Sequence, residues 1–441
     1  MGLVHTAQTD MFRSAFSRFL SVLLIALSLA LPLRLRADGA ELPAPPPRSR
    51  EPDRFTDPVS LQGQQARGLY FNGPMMRRLG AKGIIRTVKN AQLNAVVLDI
   101  KDGEGRVTYD THIEAVVPQK HVFVKDMAAF IAQIKAAGIY TIGRVVCFSD
   151  PNLPRSDHSR AVLDNRPTHA GRIWADTGKR NTWLDPYNER NHELIAALAR
   201  DVESFGFDEV QLDYVRFPVD EATVFALFPA QVDKPRREVI LSMLRRVDAA
   251  ISIPINTDVF GLTALRVGDP AGLGQSLEDW VPHVEVFSPM LYVNGMSTWV
   301  AGGANRAERL VFAAMSKLRE RVGHGPVLRP FLQAFANGAD YYTPAFIAEQ
   351  IRGARNAGSD GFLFWHPGSN YGLVQAGAAG PARALMPFPL GERRAWREQA
   401  WRDGLPWGQR AEYENEVAAS KREESSSGTS LSEPVGSAAA R

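Results

Sequence analysis

Between residues 63 and 385, short runs rich in β-branched and aromatic residues alternate with segments of helical periodicity. No other feature constrains the fold of this 441-residue chain as tightly. The strand-like runs fall near Arg67 to Asn72, Ala95 to Lys101, Tyr140 to Phe148, Glu209 to Phe217, Pro254 to Phe260, Val284 to Tyr292, Val327 to Phe335 and Gly361 to His366. Between them, Met127, Phe130, Ile131, Ile134 and Lys135, and then Leu194, Ile195, Leu198 and Val202, repeat at the spacing of one helical face. Gly138 and Gly358 stand just past two helical segments, where a left-handed C-terminal cap wants glycine. Eight strand-plus-helix units predict an α/β fold, a (β/α)8 TIM barrel of parallel strands. A doubly wound open sheet is the alternative, weakened by the lack of a phosphate-binding loop.

Three of the runs end in a carboxylate: Val96-Val97-Leu98-Asp99, Val210-Gln211-Leu212-Asp213 and Ile255-Asn256-Thr257-Asp258. In parallel α/β proteins the carboxyl ends of the strands face the ligand, so acids placed there point to chemistry. With a period of two, Val210 and Leu212 face the helices while Gln211 and Asp213 point into the barrel. The same parity turns Val97, Asp99, Lys101, Arg144, Asn256, Asp258, Gln333 and Trp365 inward. A polar, acid-rich mouth with an aromatic wall is expected. The structural alternative is an interior network of aspartates with Arg144 or Arg216, since buried acids are often simply paired. Asp102 and Glu104, just beyond the second strand, read either as substrate-binding groups or as ordinary turn residues. Glu285 lies towards the opposite end and reads as structural. The long segment from Ser149 to Asn188 is expected to be a lid or cleft wall.

With 45% hydrophobic residues, a chain of this length can bury one large core or two ordinary ones. Its ends read differently. Arg13 and Arg18 precede an apolar run from Phe19 to Leu33, short for a membrane span, and Ala37-Asp38-Gly39 offers a small-x-small cleavage site. Residues 1–39 are expected to be a secretory signal, with Met11 as an alternative start. Arg34 and Arg36 keep an uncleaved anchor open. Residues 40–62, with Pro43, Pro45, Pro46, Pro47, Pro52 and Pro58, read as a stiff linker. Residues 63–385 are assigned to the barrel, and 386–414, with Trp396, Trp401 and Trp407, to a helical extension packed back on it. Residues 415–441 lose large apolar side chains and read as a disordered tail. The expected location is extracytoplasmic, secreted or periplasmic, with membrane contact only through an uncleaved N-terminal segment.

Several functions are set aside by composition and motif. A net charge of +3, from 51 basic and 48 acidic residues, supplies no electrostatic footprint for nucleic acid. The nine histidines are scattered without a His-Glu-x-x-His pattern, and neither a Gly-x-Ser-x-Gly elbow nor a Gly-x-x-x-x-Gly-Lys-Ser/Thr loop occurs. No metal or cofactor is therefore expected. Cys147, in Val145-Val146-Cys147-Phe148, reads as a buried strand residue and not as a reactive thiol.

The segments Gly68-Leu69-Tyr70-Phe71, Leu98-Asp99-Ile100-Lys101-Asp102, Leu212-Asp213-Tyr214-Val215-Arg216-Phe217-Pro218, Asp258-Val259-Phe260-Gly261 and Ser288-Pro289-Met290-Leu291-Tyr292 occur in that order. Together they resemble a glycoside hydrolase domain family long catalogued as of unknown function. The resemblance spans about residues 66 to 375, and Leu-Asp-Tyr-Val-Arg-Phe-Pro is its most specific piece. It implies a glycosidase-type TIM barrel with Asp213 as the acid most clearly carried over. One departure stands out: Tyr-Pro-Ser is expected after Pro-Met-x, and this chain has Tyr292-Val293-Asn294. That puts the local loop geometry and the substrate subset in question.

Glycosidic hydrolysis needs one protonated carboxyl to protonate the leaving oxygen and one ionised carboxylate to attack the anomeric carbon or activate water. Asp213 is assigned as general acid, with Asp258 or Asp99 as its partner. Tyr292 and Arg144 are assigned as orienting groups and Trp365 as a stacking surface, and Tyr70, Asp102, Arg216 and Gln333 complete the substrate-binding set. Neighbouring strands about 4.8 Å apart would bring Asp213 and Asp258 towards the roughly 5–5.5 Å of a retaining pair. Asp99 with Asp213 would suit the wider gap of an inverting pair, and barrel stagger is not encoded locally, so both remain open. The expected partner is a polysaccharide or oligosaccharide. The rival function is a non-catalytic carbohydrate-binding or cell-envelope scaffold, which keeps the aromatics but needs no acid pair.

Overall fold

The computed structural model describes residues 59–379, apart from 177–180, 220, 267–268, 270–271, 297–302 and 340. The segments expected to be a signal, most of the linker, the tryptophan-containing extension and the tail lie outside the described residues. Among the described residues no helix is long and apolar enough to cross a membrane.

Eight parallel strands close into a barrel: β1 (Arg67–Phe71), β2 (Ala95–Lys101), β3 (Tyr140–Val146), β4 (Glu209–Asp213), β5 (Ile255–Phe260), β6 (Val286–Leu291), β7 and β8 (Phe362–Trp365). β7 comes in two segments, Val327–Leu328 and Phe331–Gln333, broken where Pro330 has no amide to give the ladder. Its first segment pairs with β6 through Val286 and Val327, and its second lies between β6 and β8. The pairing of Gly68 with Leu363 closes β8 onto β1, which excludes the open doubly wound sheet.

The crossovers run outside the barrel in α1 (Gly73–Asn90), α2 (Met127–Ala136), α3 (Glu189–Ser204), α4 (Arg236–Asp248), α5 (Arg306–Val322) and α6 (Pro344–Asn356), and α7 (Gly372–Ala379) follows the last strand. Among the described residues, the connection from β5 to β6 has two short helices, Gly261–Leu265 and Leu277–Trp280. Local chemistry sets the helix ends. Asn72, Asp126 and Asn188 accept from the first-turn amides of Met75, Ala129 and Arg190, and Gly138 and Gly358 take φ of 72° at the ends of α2 and α6. The expected apolar faces are buried, except that Lys135 reaches out to Asp208 at 2.6 Å.

Alternation along the strands divides two cores. Leu69, Val96, Leu98, Val210 and Leu212 pack under the helices, while Tyr70, Val97, Ile142, Phe331 and Leu363 fill the barrel interior. The N-terminal end of the barrel is sealed by a fully buried ion pair, Arg329 Nη1 to Glu209 Oε1 at 2.7 Å. Tyr140 and Asn256 also donate to Glu209, and Arg329 Nη2 donates to Gly63 O, which pins the short helix Leu61–Gln64 across that end. Val59 packs there against Val286 and Val327.

The described part of the segment Ser149 to Asn188 is a packed excursion above the C-terminal face, and not a loose loop. Trp174 and Trp183 are buried in it, and its strand Leu163–Asp164 pairs antiparallel with Ala226–Leu227 from the connection after β4. Asp185 ties the two connections together by accepting from Tyr187 N and Ala230 N, both at 2.9 Å.

Candidate active site

Arg144 on β3 stands between β2 and β4, so its guanidinium reaches acids on both sides. Nη1 donates to Asp99 Oδ1 at 2.6 Å; Nη2 and Nε donate to Asp213 Oδ2 at 2.5 and 3.1 Å. Asp258 Oδ2 lies 3.9 Å from the same Nε. The register that pairs Leu212 with Thr257 carries Asp213 and Asp258 to adjoining positions on β4 and β5. One cation is thus shared by three carboxylates, Asp213 at the end of β4 and Asp99 and Asp258 two residues before the ends of β2 and β5. Tyr70 donates its hydroxyl to Asp99 Oδ2 at 2.5 Å, and its ring lies 5.4 Å from the Arg144 guanidinium carbon.

Backbone geometry aims these groups. β4 stops at Asp213, short of the expected Phe217, because Tyr214 adopts a left-handed φ of 53°. A tyrosine held there costs on the order of 1 kcal/mol or more, strain of the kind that collects at functional sites. The turn brings Tyr214 N to 2.6 Å from Asp213 Oδ1. Asp213 therefore accepts three N–H donors across its two oxygens.

The three acids differ in their surroundings. Burial pushes Asp99 up to about 6, with the Arg144 charge pulling the other way. Burial, and then repulsion from Asp213, holds Asp258 well above the usual carboxylate range, and its Oδ1 has no hydrogen-bond partner in the protein. Burial also opposes charge on Arg144, but Asp213 and Asp99 outweigh it and hold the guanidinium above its ordinary value. Burial, reinforced by neighbouring carboxylates, keeps the phenols of Tyr70 and Tyr292 protonated.

A stability consequence follows. A carboxyl whose pKa is higher folded than unfolded favours folding most at low pH. That contribution is lost as pH rises from the unfolded value to the folded one, a window running from 3.8 to about 6 for Asp99 and further for Asp258. Asp258→Asn cannot ionise, so it should raise the thermal midpoint at pH 8 relative to wild type, with the gain shrinking towards pH 4. An unchanged or lower midpoint at pH 8 would show that partners fully compensate the buried acid.

The aromatic wall forms beside this cluster. Trp365, at the end of β8, has ring centroids 6.3 Å from Tyr70, 5.5 Å from Tyr292 and 5.4 Å from Phe335. Phe335 was not among the residues singled out from sequence. It lies two positions beyond Gln333, so the same parity could have found it.

The other expected site residues are occupied differently. Asp102 is committed to a turn: Oδ1 accepts from Glu104 N and Arg106 N, and Oδ2 pairs with Arg106. Arg216 is buried among Trp183, Tyr214 and Phe260, with its carbon 4.7, 5.2 and 4.8 Å from their centroids, and Nη1 donates to Phe217 O. Gln333 braces loops, accepting from Asn294 N and donating to Phe335 O and Asn337 O. Lys101 is buried against Asp150 at 2.9 Å, and burial pushes the Cys147 thiol up. At the departure from the family pattern, Val293–Gly295 forms a single 3-10 turn, and both polar side-chain atoms of Asn294 are buried without a partner in the protein.

Solved structures with this architecture include the glycoside hydrolase domain of PgaB (BpsB) from Bordetella bronchiseptica. It is 14% identical with a TM-score of 0.52, over 74% of this chain and 99% of that one. A hypothetical protein from Ruminiclostridium thermocellum ATCC 27405 is 28% identical over 43% of this chain and 97% of its own, with a TM-score of 0.38. The first likeness concerns the fold alone. No curated protein matches the chain. The family model described as "Putative glycosyl hydrolase domain" matches residues 68–371, from β1 to the start of α7, and the chain belongs to that family.

Proposed function

We propose that this protein is a retaining glycoside hydrolase acting on an extracytoplasmic polysaccharide, with Asp213 as nucleophile and Asp258 as general acid and base. The observation that carries the reading is the single guanidinium of Arg144 set among three carboxylates. Three anions around one cation cannot all stay ionised cheaply, so one of them holds a proton. Asp213 accepts three N–H donors, which suits an ionised acceptor. Asp258 has a free oxygen and a raised pKa, which suits the proton carrier. These roles reverse the expectation from sequence, in which Asp213 was the acid. Asp99, gripped by Tyr70 and Arg144, holds the guanidinium in place.

In the first step Asp213 bonds to the anomeric carbon while Asp258 gives its proton to the departing oxygen. In the second, Asp258 takes a proton from water as that water displaces Asp213. Adjoining positions on neighbouring strands, about 4.8 Å apart, support the short separation of a retaining pair. The extracytoplasmic setting rests on the apolar run after Arg13 and Arg18. The reading is tested by following the anomer first released from a cleaved glycan by NMR, where net inversion overturns it. Asp258→Asn should still form the glycosyl-enzyme from aryl glycosides with good leaving groups, seen as a burst of released phenol, but turn over slowly without its base and lose activity on natural linkages. Trp365→Ala, which removes the stacking face, should raise KM about 3- to 10-fold with a smaller change in kcat. An unchanged KM would move the sugar platform elsewhere.

A further inference from the structure

Buried polar atoms nearly always find partners, and one level of this barrel departs from that rule. Gln211 Oε1 and Nε2, Asn256 Oδ1, Ser288 Oγ and Asp258 Oδ1 are all buried without a hydrogen-bond partner in the protein. Strand register gathers them: Gln211 on β4 lies opposite Asn256 on β5, and Asp258 on β5 lies opposite Ser288 on β6. None of the four residues is more than 2% exposed. Asn256 has a defined orientation, because its Nδ2 donates to Glu209 Oε1 at 2.8 Å and the carboxylate can only accept. Its Oδ1 therefore looks away from Glu209 and needs a donor.

Leaving these groups unpaired would cost about 1–3 kcal/mol each, a large sum beside the net stability of a domain. A buried water needs two to four polar partners, and this level supplies them. The donors and acceptors also match: Ser288 Oγ and Gln211 Nε2 donate, while Asn256 Oδ1 and Asp258 Oδ1 accept.

We propose that Ser288 is a positioning residue for Asp258, its hydroxyl acting on Asp258 Oδ1 through one water shared with the Gln211 and Asn256 amides. The inference rests on Asp258 being the acid of the proposed reaction. When Asp258 gives up its proton, the charge left on it faces Asp213 on β4, Asp99 on β2, Arg144 and the Cys147 thiol at the end of β3, Glu209 below and the Tyr292 phenol above. Of these only Arg144 is a cation. A hydroxyl linked to that carboxylate through water stabilises the ionised form and keeps the carboxyl in one rotamer for the return of the proton.

The test reads Asp258 itself and not turnover. In full-length protein, pH-difference infrared spectra locate the carboxyl band that disappears in Asp258→Asn, which assigns the Asp258 titration. Ser288→Ala should move that titration up by about one pH unit, the size expected for one lost hydrogen bond to a charged group, and Ser288→Thr should restore it. If the alanine variant does not fold, Ser288→Cys, with a weak donor of similar size, should show a smaller upward shift. A titration unmoved in a folded Ser288→Ala or Ser288→Cys variant overturns the proposal. Failure of the proposed function is a separate result: Asp258→Asn would then turn over natural glycans normally, whatever the infrared band does.

Discussion

Asp213→Asn in the full chain should reduce kcat by about 10⁴-fold or more, the scale on which a nucleophile's loss is felt. New reducing ends, counted after incubation with a panel of cell-wall and exopolysaccharide glycans, should appear with wild type and not with the variant. The fold should survive, because the amide oxygen can still accept from Arg144, although the amide NH2 then faces Tyr214 N and that one hydrogen bond is lost. A companion variant, Asp213→Ala, separates a nucleophile from a merely structural acid. Its smaller side chain leaves room for azide, which should restore turnover of an activated aryl glycoside and yield a glycosyl azide. Full activity in Asp213→Asn would remove Asp213 from the reaction. Silence from wild type and variant alike, with glycan still bound, would favour the scaffold over the enzyme.

Arg329→Met should have the largest effect on stability, about 3–5 kcal/mol, because it leaves Glu209 buried without its cation. Tyr140 and Asn256 would still donate to that carboxylate, and two neutral hydrogen bonds do not replace a guanidinium at 0% exposure on both partners. The loss should be measurable in urea as a lower midpoint with an unchanged slope. It should also free Leu61–Gln64, which Arg329 holds through Gly63 O, so amide exchange there should quicken first. The double variant Glu209→Gln with Arg329→Met should recover most of the stability, since no unpaired charge remains. A double variant no better than Arg329→Met alone would show that the arginine acts by packing and not by charge.

Both predictions concern opposite ends of the same strand, which illustrates what the chain carries locally. On β4 the alternation Glu209, Gln211, Asp213 against Val210 and Leu212 was legible, because a period of two is a property of any extended strand. Asp213 was legible for a further reason, its place where an apolar run stops. Glu209, equally inward, drew no attention as a site, since nothing near it in sequence names Arg329 as its partner. Phe335 and Ser288 were passed over in the same way, although parity put the first on the aromatic wall.

Strand and helix order, the two faces of each strand, the helix caps at Gly138 and Gly358, and the acids towards the carboxyl ends of three strands were determined by sequence alone. These follow from short-range sterics and from the spacing of apolar residues, which hold whatever the rest of the chain does. Tertiary structure alone decided that Arg144 serves Asp99, Asp213 and Asp258 together, that Asp102 is spent on a turn, and that Asp258 and not Asp213 is the acid poorest in partners. Those outcomes depend on barrel closure and stagger, and on how deeply each carboxyl is desolvated. Both are set by contacts between strands far apart in the chain.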